Sequence, residues 1–239
     1  MSHVKNLQAF GKLTGICTGY GGQYNPGQQN LQVNAMTTLL NSAQQAMQAV
    51  NEAQTFYDNA TNNRKLGFKG IRRFSSNVNS ILKASGVHEL TRSDASSSVR
   101  KIWGVRKTQR KANAQIKPED QKTTSSFIYR TNYASLANYF AQLVSTVSAE
   151  PKYRPNEPEY SVEGLKQKLA ALHELNEIVA QAEINLTNAR RIRDELFYAG
   201  ENNLFSTAMA VKQYVRGVFG YKSSQHLETQ RLHFTKPKW

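Results

Sequence analysis

The sequence predicts an all-α protein in which one helical unit occurs twice, folded as a pseudo-twofold helical bundle. Three observations carry this. Laid without gaps on residues 153–197, residues 24–68 give ten identities in 45 positions at a constant offset of 129, among them Tyr24/Tyr153, Pro26/Pro155, Val50/Val179, Arg64/Arg193 and Phe68/Phe197. Self-similarity at a fixed spacing is the mark of a duplicated supersecondary unit. Apolar side chains recur at steps of three and four from Met36 to Arg64 and again from Leu165 to Arg193, which is the period of one helix face. Alternating apolar and polar runs, the mark of half-buried strands, are missing.

Residues 4–20 place Val4, Leu7, Phe10, Leu13 and Cys17 on one face of a first helix. Gly21-Gly22 stops it, because glycine takes left-handed backbone without a Cβ penalty, and Pro26 then holds Asn25 extended. In the second copy Leu136, Tyr139, Phe140 and Leu143 precede the break at 151–155; Leu7/Leu136 and Phe10/Tyr139 keep the offset of 129, so the unit is expected to include this helix. The long helix follows. Asn34 and Ser161 are candidate N-caps, having short side chains that accept from the free amides of a first turn, and Gly67 and Gly200 are expected ends.

Beyond the long helix the first copy holds extra residues, expected as a turn at Ser85-Gly86-Val87 and a loop at 94–98 between two shorter helices. Both copies then converge on one signature, Val99-Arg100-Lys101-Ile102-Trp103-Gly104 and Val215-Arg216-Gly217-Val218-Phe219-Gly220. Trp103 and Phe219 are expected to anchor the last helix in the core, the arginine to face its carbonyl end, and Gly104 and Gly220 to supply a left-handed cap. The organisation read from this is a first helical repeat at 1–104, a basic linker at 105–126, a second repeat at 127–220 and a tail at 221–239 in which no helix is expected.

Chemistry is sparse. Apart from His226 and His233 in the tail, which read as solvated, the five histidines show no pair at metal-ligand spacing with a carboxylate partner. Cys17 lies on an apolar face, where a thiol is ordinarily buried and inert, and as the lone cysteine it forms no intrachain disulfide, which fits a reducing compartment. Thr18-Gly19-Tyr20-Gly21-Gly22 lacks the spacing and the Lys-Ser/Thr of a phosphate loop. No catalytic residue, metal or cofactor is assigned, and the expectation is a protein that is not an enzyme. Arg64 and Arg193, each closing an apolar stripe, are read as fixing where the long helix meets its neighbour, through a carboxylate or a helix carbonyl. Tyr24 and Tyr153, beside Pro26 and Pro155, are read as packing the turn that precedes the long helix.

Charge is the remaining signal. Lysine and arginine outnumber the acids by 31 to 17, a net charge of +14, which concentrates polyanions near the surface. The candidate nucleic-acid contacts are Lys65, Lys69, Arg72 and Arg73 at the end of the first long run, then Arg100, Lys101, Arg106, Lys107, Arg110 and Lys111 into the linker. A basic module holding nucleic acid or a ribonucleoprotein through phosphates is one reading; the other is a self-assembling structural subunit of a filament, shell or particle, a homo-oligomer whose duplicated halves offer related surfaces. If nucleic acid is bound, the first copy and the linker are expected to hold it, because the second copy sets Asp194, Glu195 and Glu201 among its arginines. No stretch reaches a membrane span, no small-molecule substrate is evident, and no signal peptide opens the chain, so the expected setting is cytoplasmic.

With Tyr24-Asn25-Pro26 and Tyr153-Arg154-Pro155 opening long helices, and Val-Arg-x-Ile/Val-Trp/Phe-Gly closing each copy, the chain resembles uncharacterised duplicated all-helical proteins of bacterial genomes. That resemblance implies a helical fold and a bacterial setting, and carries no activity and no site residues.

Overall fold

The fold is all-α. The computed structural model describes residues 2–104 and 132–237, and among these no strand occurs. Eight α-helices follow in order: α1 (Ser2–Gly19), α2 (Val33–Gly67), α3 (Ile71–Ala84), α4 (Glu89–Trp103), α5 (Tyr133–Ser148), α6 (Val162–Asp194), α7 (Leu204–Phe219) and α8 (Ser224–Gln230). At ~1.5 Å rise per residue, the 35 residues of α2 span about 52 Å. The segment expected as a linker, 105–126, falls outside the described residues.

Compactness groups these helices into two units, one of Met1–Asp58 with Ala182–Trp239 and one of Asn59–Gln181. Each long helix contributes residues to both. In the first unit α1, the start of α2, α7 and the π-helical turn Glu195–Ala199 after α6 share a core centred on Phe10, Leu13, Met36, Phe197, Leu204 and Val211. In the second, α3, α4, α5, the turn after α2 and the start of α6 bury Phe68, Val78, Leu82, Ile102, Phe140, Leu143 and Leu165. Each such fully buried side chain stabilises its unit by about 1.5–3 kcal/mol relative to exposure.

The turn before each long helix is built the same way. A 3-10 turn, Gln29–Leu31 in one case and Pro158–Tyr160 in the other, leads into α2 and α6. Across it the buried Tyr24 hydroxyl donates to the Leu31 carbonyl at 2.8 Å, and the buried Tyr153 hydroxyl donates to the Tyr160 carbonyl at 2.8 Å. A buried phenol needs a partner, and here it closes the loop that aims the helix. The caps differ: Ser161 Oγ accepts from the Gly164 amide at 3.0 Å, whereas Asn34 lies inside α2, one residue beyond its start, and does not cap it.

Four expectations need correction. Burial puts the first helices in register at 130 and not 129: Phe10, Leu13 and Cys17 are buried as Phe140, Leu143 and Val147 are, while Tyr139 is only half-buried. The cause is one more residue in the glycine turn, where Gly21 takes φ +53°. Residues 94–98 are not a loop but the middle of α4, where Ala95 and Ser98 are buried and Ser96 bonds Asn79 of α3. Small side chains there read as loop by propensity, yet they are what lets helices approach closely. The tail contains α8, capped by Ser223 Oγ on the His226 amide at 3.1 Å, and His226 is buried, not solvated. Leu232 and Phe234 pack on the first unit's core, and Asn6 holds Thr235 by two hydrogen bonds of 2.7 and 2.9 Å.

The fourth correction concerns the closing signatures. Residues 99–104 end α4, the second helix after α2, whereas 215–220 end α7, the first helix after α6. Ile102 anchors α4 in the core and Trp103 stays 44% exposed, while Phe219 is half-buried against Tyr20 at 5.0 Å and Val218 is 52% exposed. Gly104 does form the left-handed cap, with φ 78° and its amide bonded to the last carbonyls of α4. Gly220 also has positive φ, 89°, but with extended ψ, and its carbonyl accepts from the Ser223 hydroxyl. The carbonyl end of α4 is met by Arg72 Nε, which donates to the Ile102 carbonyl at 3.3 Å, and not by Arg100.

Candidate functional site

In the second unit the sharp turn from α2 to α3 concentrates charge. Gly70 stands at φ +83°, a left-handed backbone that only glycine takes without strain, and it reverses the chain within three residues of the end of α2. The turn is tied by Lys69 N to Leu66 O at 3.0 Å and Ile71 N to Phe68 O at 3.2 Å. It brings Lys65 from the last turn of α2, Lys69 from the turn, and Arg72 and Arg73 from the first turn of α3 to one groove of about 890 Å³.

Phe68, Ile71 and Leu136 are buried in the floor of this groove, and Tyr133 and Trp103 line it from α5 and α4. Phe68 meets Tyr133 edge-on at 4.9 Å, and Arg64 lays its guanidinium over the Tyr133 ring, 4.6 Å from its centre. That stacking is the fixing role of Arg64, reached through an aromatic face and not through a carboxylate. Arg193 in the first unit does pair with a carboxylate, donating to Asp194 Oδ1 at 2.8 Å, where His3 Nε2 also lies at 3.1 Å. Trp103 is held by its indole N–H, which donates to Ser76 Oγ at 2.9 Å.

Among the described residues no carboxylate lines the groove. The ion pairs of the described residues all lie in the first unit, so Lys65, Lys69, Arg72 and Arg73 have no carboxylate within ion-pair distance. Lys65, Lys69 and Arg73 are exposed, and among the described residues their side chains have no hydrogen-bond partner; Arg72 is half-buried and half-committed to Ile102. Four like charges around an apolar floor repel one another unless an anion sits among them. The arrangement can therefore bind anions, and it offers flat apolar surface beside them.

Of the ten cations singled out in sequence, these four converge. Arg100 is exposed on α4 outside the groove lining, and Lys101 turns to α5, its Nζ 5.7 Å from the Tyr139 ring centre and 3.4 Å from Gln142 Oε1. Arg106, Lys107, Arg110 and Lys111 lie outside the described residues. The aromatic walls are not assembled from sequence, since the reading puts Trp103 in the core and Tyr133 stands far along the chain; a tryptophan two residues from the Arg100-Lys101 pair is the available signal.

The region following α6 is different. A π-helical turn, Glu195–Ala199, leads to a smaller hollow of about 320 Å³ lined by Ile192, Glu195, Leu196, Gly200, Asn202 and Asn203, with a carboxylate and no cation. Elsewhere, Cys17 is buried and its thiol is pushed up to about 11 by that burial, and burial also lowers the Lys212 amine, whose Nζ donates to the Leu232 carbonyl at 2.9 Å. Among the described residues no group of three His, Cys, Asp or Glu side chains could hold a metal ion, and no helix is long and apolar enough to cross a membrane. Comparison with protein-family models, with curated proteins and with solved structures finds no match to this chain.

Proposed function

We propose that this is a non-catalytic basic module that holds nucleic acid, alone or as a ribonucleoprotein, through phosphate contacts at the turn between α2 and α3. One observation carries the reading: four cations converge on a groove with an apolar floor and, among the described residues, no carboxylate to neutralise them. Phosphates supply the missing counter-charge, and displacing their condensed cations supplies much of the binding free energy. The hollow after α6, with Glu195 in its wall, favours the same location by contrast. The basic residues Arg106, Lys107, Arg110 and Lys111 extend the charge along the chain and are proposed as further phosphate contacts.

The test is a gel shift on mixed DNA and RNA over a salt series. Each phosphate contact contributes about −0.9 on duplex DNA, or about −0.7 on single strands, to the slope of log affinity against log salt. Lys65, Lys69 and Arg73 are exposed, so their joint reversal to Glu leaves the fold intact; it is expected to flatten the slope by about two units on single strands and nearly three on duplex DNA, and to weaken binding at low salt. Unchanged binding removes the groove from the account. The reversal of Arg106, Lys107, Arg110 and Lys111 to Glu tests the linker in the same assay.

The second reading, a subunit that self-assembles, is supported by the matched turns at Tyr24 and Tyr153, which fit a duplicated unit with related surfaces in its two copies. Light scattering of the purified chain distinguishes it: growth with concentration, independent of added nucleic acid, favours assembly.

A further inference from the structure

We infer that the groove takes single-stranded nucleic acid in particular, with a base stacked against Trp103 while Lys69, Arg72 and Arg73 hold the flanking phosphates; this rests on the function proposed above. The inference comes from where the exposed aromatic surface lies. A tryptophan with 44% of its surface in solvent is uncommon on a helix whose neighbour Ile102 already fills the core, so packing does not account for its size. Its one polar atom is satisfied by Ser76, which fixes the ring and leaves the remaining surface purely apolar. Beside it in the same concavity Leu66 is 65% exposed. Exposed apolar surface ringed by cations matches a ligand that alternates flat apolar faces with phosphates. A duplex keeps its base faces in the stack and presents phosphates on a convex cylinder, so it reaches the cations and not the indole. Inorganic polyanions and acidic peptides likewise use the cations alone. Stacking is tolerant of base identity, so no strong sequence preference is expected.

The experiment uses the full chain carrying Trp239→Phe, which leaves Trp103 as the single tryptophan. It is titrated with a twelve-residue oligothymidylate, a duplex of equal length, inorganic polyphosphate and a polyglutamate peptide, following both anisotropy of the labelled ligand and tryptophan emission. The expected result is that the oligothymidylate binds most tightly and quenches Trp103, and that Trp103→Ala weakens it by roughly tenfold to a hundredfold while leaving polyphosphate affinity unchanged. Trp103→Phe, which keeps a stacking face, is expected to recover most of the loss, and the circular dichroism of both variants checks that the helices persist. Equal affinity for oligothymidylate and polyphosphate without quenching overturns the single-strand inference and leaves the phosphate groove standing. Tighter binding of duplex or of polyglutamate also overturns it, the latter together with the nucleic-acid reading. Binding to none of the four ends both.

Discussion

Single residues set the geometry at the points where the chain turns. Tyr24 and Tyr153 do one job in two places, each closing a loop onto a backbone carbonyl; burial pushes the Tyr24 phenol up and Tyr153 up to about 12, so both stay neutral donors throughout the physiological range. Replacing Tyr153 by Phe keeps the ring and orphans the Tyr160 carbonyl. The expected cost is about 1–3 kcal/mol, read as a lower midpoint in urea with an unchanged slope. Gly164 is tighter still: a Cβ there would run into the Pro158 carbonyl oxygen, a backbone atom that cannot swing aside. Gly164→Ala is therefore expected to destabilise by about 1–3 kcal/mol although alanine is the better helix former, and equal or higher stability would show that the turn before α6 yields. Gly67 faces only the flexible tip of Leu175, so its replacement is expected to be the milder of the two.

At the scale of the element, the long helices were legible because α2 and α6 repeat a 3.6-residue stripe, α2 ending on Gly67 and α6 running on through the π-helical turn to Gly200. Their starts were half-legible: Ser161 has the oxygen an N-cap needs and uses it, whereas Asn34 has the same chemistry one residue too late. The loop expected at 94–98 failed because serine and alanine carry two meanings, poor helix propensity in isolation and close approach when packed. Burial of Ala95 and Ser98 decides for the second. The candidate site was legible to the same degree. Lys65, Lys69, Arg72 and Arg73 stand close in sequence and the turn at Gly70 keeps them close in space. Their walls come from α4 and α5, joined to the turn only through tertiary packing, and no local pattern announces that. Ser161→Ala is expected to cost ~1 kcal/mol through the lost cap, while Asn34→Ala, at a helical position that caps nothing, is expected to be neutral or slightly stabilising.

The whole molecule departs most from a linear reading. Each compact unit draws helices from both of the expected repeats: the first combines α1 and the start of α2 with the end of α6, α7 and α8, and the second combines α3, α4 and the end of α2 with α5 and the start of α6. Phe10 and Leu13 thus share a core with Leu204 and Val211, while Val78 and Leu82 share theirs with Phe140 and Leu143. Neither half of the sequence holds a complete core, so each half alone leaves much of its apolar surface in water and loses the term that offsets chain entropy. A chain cut between 105 and 131 should behave accordingly. The two fragments, expressed separately, are expected to show weak helicity and to expose apolar surface. Mixed at equal concentration, they are expected to regain the helicity of the uncut chain and to migrate as one species whose thermal midpoint rises with concentration, since joining has become bimolecular. Two fragments that each fold cooperatively when alone, with no change on mixing, would show that each copy completes a core by itself, and the interleaved division of the chain would then be wrong.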